Sequence, residues 1–283
     1  KITASNQHTI SPPVASLPEV HPVTMLREGP IKVILIGAGG VGARLAPLVV
    51  KYLIPGDSLT IIDHDRVEAR NTLRQHFVEA DVGQYKAMVV AARAAATAPA
   101  QVVVEGLPVR WHRSLTPIGG SSLYLSCVDT MQTRLELSQD VGVGGTNRRV
   151  WIDGGNGANH GQSIVMYVYG SLRQPLKPVV GQIEHRLRHF SDSLCEQVAP
   201  TFLTQLDPPA EEGCAQRFDP QTVLANIWSA VVTLTLAVPF IQQQPIQAIG
   251  MAFSTDTGLT RTTRVLGLGQ GDAHLMTTPP ILP

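Results

Sequence analysis

A glycine-rich loop offers the clearest chemistry in this sequence. The loop follows a short run of β-branched and leucine residues, precedes a stretch with helical apolar spacing, and contains Gly37, Gly39, Gly40 and Gly42. Glycines let a backbone approach phosphate closely, and the unpaired N–H groups at the start of a helix attract anions. Asp63 ends the next predicted strand, about 20 residues further on, where a carboxylate can accept a hydrogen bond from a ribose hydroxyl. The spacing therefore predicts a nucleotide site.

The residues after Asp63 favour chemistry at phosphate over hydride transfer. Residues 63–75 read Asp-His-Asp-Arg-Val-Glu-Ala-Arg-Asn-Thr-Leu-Arg-Gln. A dehydrogenase has no need for asparagine, arginine and glutamine clustered just past the ribose carboxylate, whereas a nucleotidyl transferase does. Arg74 offers several N–H donors to phosphate oxygens, and Lys86 adds a compact positive charge.

Asp129 is a candidate metal ligand. It follows the fourth predicted strand, at the carboxyl edge where doubly wound sheets bind their ligands. A carboxylate at this edge suits Mg²⁺, which one or two carboxylates usually hold together with phosphate oxygens. A ribose anchor, a cationic clamp and a metal site are the parts needed for attack of a carboxylate on the α-phosphate of ATP.

The elements that must position these groups alternate between strand and helix. Apolar runs predict strands over 31–36, 59–62, 102–104, 123–127, 150–153 and 163–169. Helical spacing predicts helices over 41–53, 132–141 and 222–239, with Pro47 discordant in the first, and Asp81 is a candidate N-cap for a helix ending near residue 96. This alternation implies an α/β fold with a doubly wound, Rossmann-like, mostly parallel sheet. A hairpin over 248–265 would add an antiparallel C-terminal extension.

Proline content and periodicity divide the chain into an arm, a domain and a tail. Residues 1–29 hold several prolines and predict an extended arm, and residues 266–283 predict a Gly- and Pro-rich tail. Residues 30–265 form one predicted domain. Within it, 170–220 predicts a long crossover loop with a short helix over 183–190, and loops this long are usually functional.

Composition excludes several classes of function. The chain has 283 residues, 43% of them apolar and 16% charged, with zero formal net charge. A neutral chain is a poor binder of nucleic acid or of a membrane surface. The longest apolar run, 227–241, predicts a buried helix, and no membrane span is expected. Three cysteines without a CxxC pair argue against disulfides and against structural zinc, and they fit a cytoplasmic location.

The sequence resembles the ThiF/MoeB and ubiquitin-activating enzyme superfamily of adenylyltransferases. The resemblance covers about residues 30–170 and the last predicted helix, and its motifs are the loop at 37–42, Asp63-His64-Asp65, Asn71 with Arg74-Gln75, 83–86 and 127–129, with weaker similarity at 153–155 and 161–162. It implies an adenylation domain that binds ATP and Mg²⁺. It further implies that Asp63 holds the ribose, with Asp65 and Gln75 in the same nucleotide site. Asn71, Arg74 and Lys86 would contact phosphates, and Asp129 would carry Mg²⁺. The alternative for each is a surface ion pair or a helix cap.

The sequence also departs from the family pattern. Thr130 stands where the family usually has asparagine after the metal-binding aspartate, although a threonine can still cap the following helix. Leu73 replaces a polar residue of the family motif, which puts one phosphate-side contact in doubt. Relatives often supply an arginine to their partner's active site from an N-terminal helix. Residues 1–30 contain no matching motif, and Arg27 is a weak candidate.

A cysteine would be needed if an acyl group moves on from the adenylate to a thioester. Cys214 is the preferred candidate because it shortly precedes the predicted helix at 222–239, a placement that resembles compact activating enzymes. Cys195 is the second candidate, since it follows the basic stretch 185–189, which could lower a thiol pKa. Cys127, at a buried strand end, is expected to pack as a small hydrophobic residue.

The predicted function is ATP-dependent adenylation of the C-terminal carboxylate of a ubiquitin-like or sulfur-carrier protein. Thioester transfer to Cys214 and passage to a conjugating enzyme would follow, and the layout most resembles compact bacterial activating enzymes, which predicts a homodimer. The alternatives are adenylation of a small molecule or tRNA base without a thioester, a non-catalytic scaffold of the same fold, and, more distantly, a nicotinamide dehydrogenase.

Overall fold

A computed structural model describes residues 29–115, 117, 120–142, 148–169, 221–244 and 248–264. Its described strands form one mixed sheet of eight, in the order β3-β2-β1-β4-β5-β6-β7-β8. Strands β1 to β5 run parallel, and β6 to β8 extend the sheet as antiparallel neighbours. The strands are β1 (Ile31–Ile36), β2 (Ser58–Ile62), β3 (Val103–Leu107), β4 (Ser121–Ser126), β5 (Arg148–Asn156), β6 (His160–Tyr169), β7 (Ala248–Ser254) and β8 (Thr260–Arg264).

Four α-helices accompany the described part of the sheet. They are α1 (Gly42–Val49), α2 (Lys86–Ala95), α3 (Met131–Gly142) and α4 (Val223–Gln242). Short 3₁₀ turns occupy Val50–Tyr52, Ala69–Leu73, Glu79–Asp81 and Arg113–Leu115. The predicted doubly wound α/β architecture with an antiparallel C-terminal extension is confirmed, and the hairpin near 248–265 is β7 and β8.

The sheet is buried on both faces, which is why its central strands are nearly continuous apolar runs. One face packs against α1, α2 and α4 through residues such as Leu35, Leu45 and Leu236. The other face packs against α3 and the segment around Trp111, where Tyr124 and Trp151 are buried. Alternate residues of each strand therefore serve two separate cores.

The strand order creates a crevice at the carboxyl ends of β1 and β4. These two strands are neighbours, while the chain runs from β1 outward to β2 and β3 before it returns to β4. Doubly wound sheets bind ligands at such a point, where the strand order reverses. The glycine loop follows β1 and Asp129 follows β4, so the topology brings the two predicted site segments together.

The structure does not confirm the predicted helix cap at Asp81. Asp81 does not cap α2, which begins five residues later at Lys86; its carboxylate instead accepts hydrogen bonds from Val78 N–H and from Arg93.

Pro47 lies inside α1, as its discordant position in the sequence indicated, and it has no N–H to donate to the carbonyl of Ala43. His76 Nδ1 lies 3.4 Å from that carbonyl oxygen.

By length and composition alone, helix α4 could cross a membrane. Over half of its apolar stretch is buried inside the protein, and α4 packs against β5, β6, β7 and α1. Core helices share this length and composition with membrane helices, and the prediction of a buried helix in this region is confirmed.

Candidate nucleotide site

The glycine loop is held tightly by its surroundings at three of its four glycines. Gly37 has φ +91°, and a Cβ there would lie 2.6 Å from the carbonyl oxygen of Cys127. A Cβ on Gly42 would lie 1.9 Å from the Gly37 carbonyl oxygen, and one on Gly40 would lie 2.5 Å from Asn226 Nδ2. Gly39 differs, because a Cβ there would have no neighbour within 4 Å. The described fold explains three glycines, and the backbone at Gly39 is open to the close approach of a ligand.

Replacing Gly39 with alanine is therefore expected to spare the fold and weaken ATP binding. The methyl group meets no described protein atom but occupies space beside the loop backbone, so we expect at least about a tenfold loss of affinity, as for one overpacked methyl group. Calorimetric titration with ATP and a thermal melt measure the two effects. Gly42→Ala is the contrasting variant, since its Cβ meets backbone and should lower the melting temperature. Unchanged ATP affinity in Gly39→Ala would contradict the prediction that ATP approaches the loop backbone at Gly39.

Asp63 connects the end of β2 to the glycine loop. Its Oδ2 accepts a hydrogen bond of 2.7 Å from Ala38 N–H, and its Oδ1 accepts one of 2.8 Å from Asp65 N–H. Burial raises the pKa of Asp63, although both N–H donors and the charge of Lys86 act in the opposite direction. Each carboxylate oxygen has a second lone pair, so Asp63 can anchor the loop and still accept a hydrogen bond from a ribose hydroxyl.

Lys86 lies at the first position of α2 and is buried. Its Nζ donates to Asp65 Oδ2 at 2.9 Å, and its backbone N–H donates to the Asp65 carbonyl. Burial alone would raise the pKa of Asp65, but the hydrogen bond and charge of Lys86 lower it. An ammonium group has three donors, so this contact leaves capacity for a phosphate oxygen while Asp65 serves as the lysine's partner.

The segment 69–75 presents Arg74 and uses Asn71 to shape the backbone. Asn71 is buried, and its Oδ1 accepts a hydrogen bond from Glu68 N–H at 2.9 Å, which leaves its NH₂ group as the available donor. The Arg74 guanidinium has no hydrogen bond or ion pair with the described residues, and only its backbone is tied down. The Oε1 atom of Gln75 is buried without a described partner. Leu73 is 81% exposed, so this departure from the family motif faces solvent.

The segment after β4, which leads to Asp129, contacts the start of the glycine loop. Cys127 N–H donates to the Ile36 carbonyl at 2.8 Å, which joins the two loops, and Asp129 is exposed just beyond. Thr130 caps α3, because its Oγ1 accepts from Thr133 N–H at 3.3 Å. The expectation that threonine can replace the usual asparagine as a cap is confirmed.

A buried ion pair supports this segment and was missed by the sequence analysis. Arg134 Nε donates to Asp153 Oδ2 at 2.9 Å, and Arg134 NH2 donates to the Val128 carbonyl at 2.6 Å. Asp153 Oδ1 also accepts from Ser126 Oγ, which itself accepts from Trp151 Nε1 at 2.7 Å. The chain of contacts fixes the peptide that precedes Asp129.

Breaking this ion pair is expected to destabilise the protein. Arg134→Met leaves the Asp153 carboxylate buried without its charged partner, so the free energy of unfolding should fall by about 3 kcal/mol. The matched control is Arg70→Met, whose ion pair with Glu68 has side chains more than half exposed and should cost less than about 1 kcal/mol. Denaturant titrations of both variants give the comparison, and equal effects would refute it.

Two other residues that the sequence analysis missed converge on Arg74. Arg44 NH1 donates to the Gly40 carbonyl at 2.8 Å, and Arg44 NH2 donates to the Arg74 carbonyl at 3.2 Å. Asn226 Nδ2 donates to the same Arg74 carbonyl at 3.3 Å. A lone asparagine within the apolar run of α4 was the available signal, since a buried amide requires partners.

Only one cysteine lies among the described residues. Cys127 packs against the first core, and burial raises the pKa of its thiol, with the charge of Asp153 adding to the effect. It has the properties of a small hydrophobic residue, as the sequence predicted. Cys195 and Cys214 both lie outside the described residues, as do the predicted helix at 183–190 and Arg27.

One cluster among the described residues has metal-ligand geometry: the side chains of Asp63, His64 and Asp65, whose donor atoms lie within 4.8 Å of one another. The contacts with Ala38, Lys86 and the backbone account for its two carboxylates. The arrangement of this cluster is therefore explained without a bound metal ion.

The chain is similar to known proteins in both sequence and fold. The model of the ThiF family matches residues 15–196. No curated protein gives a significant match. Among solved structures, E. coli MccB with ATP has a TM-score of 0.53 at 15% identity, over 84% of this chain and 64% of that one. The microcin C7 biosynthetic enzyme MccB in complex with N-formylated MccA has a TM-score of 0.53 at 15% identity, over 82% of this chain and 64% of that one. PaaA has a TM-score of 0.55 at 17% identity, over 82% of this chain and 72% of that one. At these identities the likeness concerns the fold, and this chain spans less than two thirds of those MccB chains.

Proposed function

The chain belongs to the ThiF family, and from this premise we propose that it uses ATP to adenylate the C-terminal carboxylate of a ubiquitin-like or sulfur-carrier protein. The observation that carries the proposal is the meeting of complementary groups where the strand order reverses. The open side of Gly39, the Asp63 carboxylate, Asp129 and the Arg74 guanidinium, which has no partner among the described residues, all belong to segments at that edge. A scaffold without catalysis would not need this set.

In the first step, a carboxylate oxygen of the partner protein attacks the α-phosphorus of ATP. The bond between that phosphorus and the oxygen bridging to the β-phosphate breaks, and pyrophosphate leaves with the bonding electrons. Asp63 holds the ribose, the loop N–H groups face the phosphates, and Asn71 and Arg74 donate to phosphate oxygens. Lys86 adds positive charge, already oriented by Asp65 at 2.9 Å. The solved complex of MccB with ATP supports ATP as the nucleotide.

Asp129 fits the role of the Mg²⁺ ligand. It is an exposed oxygen donor that shortly follows Cys127, whose backbone contacts the start of the glycine loop. One carboxylate combined with phosphate oxygens is a common way to hold this ion. When bound, Mg²⁺ would neutralise charge on the leaving pyrophosphate.

In the second step, a cysteine thiolate attacks the acyl carbon of the adenylate and AMP leaves, which forms a thioester. We assign this role to Cys214, with Cys195 as the alternative, because desolvation raises the pKa of the Cys127 thiol, which packs against the first core. A conjugating enzyme would then accept the acyl group. We also propose that the protein works as a cytoplasmic homodimer, without structural zinc and without nucleic-acid or membrane partners.

Exchange of labelled pyrophosphate into ATP tests the first step. Exchange that depends on a small β-grasp protein with a free C-terminus supports the proposal, and amidation of that C-terminal carboxylate should abolish it. Exchange without any protein, or with a small acid or tRNA instead, would establish the enzyme without a thioester. If the protein does not bind ATP, a non-catalytic scaffold of the same fold becomes the favoured function.

A further inference from the structure

The backbone of Arg74 is held at both ends while its side chain is left available. Its N–H donates to the Asn71 carbonyl at 3.4 Å, and its carbonyl accepts from Arg44 at 3.2 Å and from Asn226 at 3.3 Å. The guanidinium itself has no described partner. Two side chains on one carbonyl fix the peptide after Arg74 and so limit the directions in which its side chain can extend.

Asn226 is built into this position. It is fully buried in the first turn of α4, and its Oδ1 accepts a hydrogen bond of 3.0 Å from Asn156 Nδ2 at the end of β5. Its amide also fills the space beside Gly40, where a Cβ would lie 2.5 Å from Asn226 Nδ2. One side chain therefore contacts the glycine loop, the Arg74 segment and the end of β5.

Arg44 makes the equivalent connection from α1. Its two terminal nitrogens donate to the Gly40 and Arg74 carbonyls, so its planar fork ties the glycine loop to the Arg74 segment. A lysine has a single nitrogen and cannot reproduce both contacts in the same geometry.

The start of α4 is itself anchored to the site. Thr222 caps the helix by accepting from Ala225 N–H at 3.1 Å, and it donates to the Ala158 carbonyl at 2.9 Å. Gln221 Nε2 donates to the Asn156 carbonyl at 3.2 Å. The first turn of α4 thus holds the turn between β5 and β6 on one side and the Arg74 segment on the other.

We propose that Asn226 and Arg44 are positioning residues that orient the Arg74 guanidinium toward the ATP phosphates. The inference rests on the proposed adenylation, and it assigns roles to two residues outside the motifs that identified the site. It makes α4 a functional part of the phosphate clamp, so a change at the first turn of this helix alters ATP binding through Arg74.

A double-mutant cycle tests this coupling. Asn226→Leu keeps the side-chain shape but removes the hydrogen bond to the Arg74 carbonyl, and we expect it to raise the KM for ATP about five- to tenfold with a smaller change in kcat. In an Arg74→Ala background the same substitution should change KM by less than about twofold, because the group through which it acts is gone. Equilibrium binding of ATP to each variant gives a second readout.

Ser229→Ala is the matched control on the same helix. Ser229 is fully buried like Asn226, but its Oγ has no hydrogen-bond partner in the described part of the chain, so its loss should leave the KM for ATP unchanged. If Asn226→Leu unfolds in a thermal melt, Arg44→Lys takes its place in the cycle.

The outcomes separate the inference from its premise. Equal effects of Asn226→Leu with and without Arg74, or no effect at all, would show that Asn226 has a structural role only and would overturn the inference. A wild-type chain that neither binds ATP nor catalyses exchange would overturn the proposed function, and the inference would fall with it.

Discussion

Replacing Asp129 with asparagine is expected to lower the rate of ATP–pyrophosphate exchange by at least about a hundredfold, the scale of losing one group that stabilises developing charge. Asparagine keeps the shape of the side chain and one oxygen but removes the negative charge that suits Mg²⁺. Asp129 is the acidic candidate here because it is exposed at the carboxyl edge of the sheet, whereas Asp153 is buried. Exchange measured over a range of Mg²⁺ concentrations should show a raised requirement for the ion.

Glu136→Gln is the control for this prediction. Glu136 lies within α3, the helix that follows Asp129, and its Oε1 accepts from Gln132 Nε2 at 3.0 Å on the exposed side. The substitution removes the same charge, and we expect exchange within about twofold of wild type. Asp129→Asn with a normal melting temperature and exchange near the wild-type rate at low Mg²⁺ would show that another residue holds the ion.

Local pattern was enough to predict the strands and the loop. The run Ile31–Ile36 and the glycines after it predict a strand and a phosphate-binding turn because both signals lie in adjacent residues. The position of Asp129 beside this turn could be inferred only from the general rule for doubly wound sheets. The strand order, with β4 next to β1, supplies the contact itself.

The residues that support the site could not be predicted in the same way. Asn226 contacts Arg74 across 152 positions of sequence, and Arg44 reaches the same carbonyl across 30. No periodicity links such pairs. Asp81 shows the opposite error, because a plausible local cap signal was overridden when the chain turned at Gly83, with φ +87°, before α2 began.

The departures from the family pattern have different consequences once the structure is considered. Thr130 still caps α3, so the substitution preserves the local fold. Leu73 is largely exposed, which removes a polar group without adding to the core. Under the proposed function, Arg74 therefore becomes more important for binding phosphate, and its backbone makes three hydrogen bonds with the described residues.

Replacing Cys214 with alanine is expected to abolish the thioester completely while exchange stays within about twofold of wild type. The proposed adenylation uses groups at the edge of the sheet, whereas the proposed thioester needs a sulfur nucleophile that becomes a thiolate. The measurement is a conjugate with the partner protein that is separated by electrophoresis without reducing agent and disappears when a thiol is added. The retained exchange shows that the variant is folded and still activates the carboxylate.

Two further cysteine variants decide the assignment. Cys127→Ala should retain the conjugate, because burial and the charge of Asp153 raise the pKa of that thiol and keep it protonated. A conjugate that survives Cys214→Ala and is lost in Cys195→Ala would transfer the role to Cys195. If wild type catalyses exchange that depends on the partner protein yet forms no thiol-sensitive conjugate, the reaction ends at the adenylate. In that case a nucleophile on another molecule attacks the acyl carbon of the adenylate directly, and AMP leaves without a thioester intermediate on this chain.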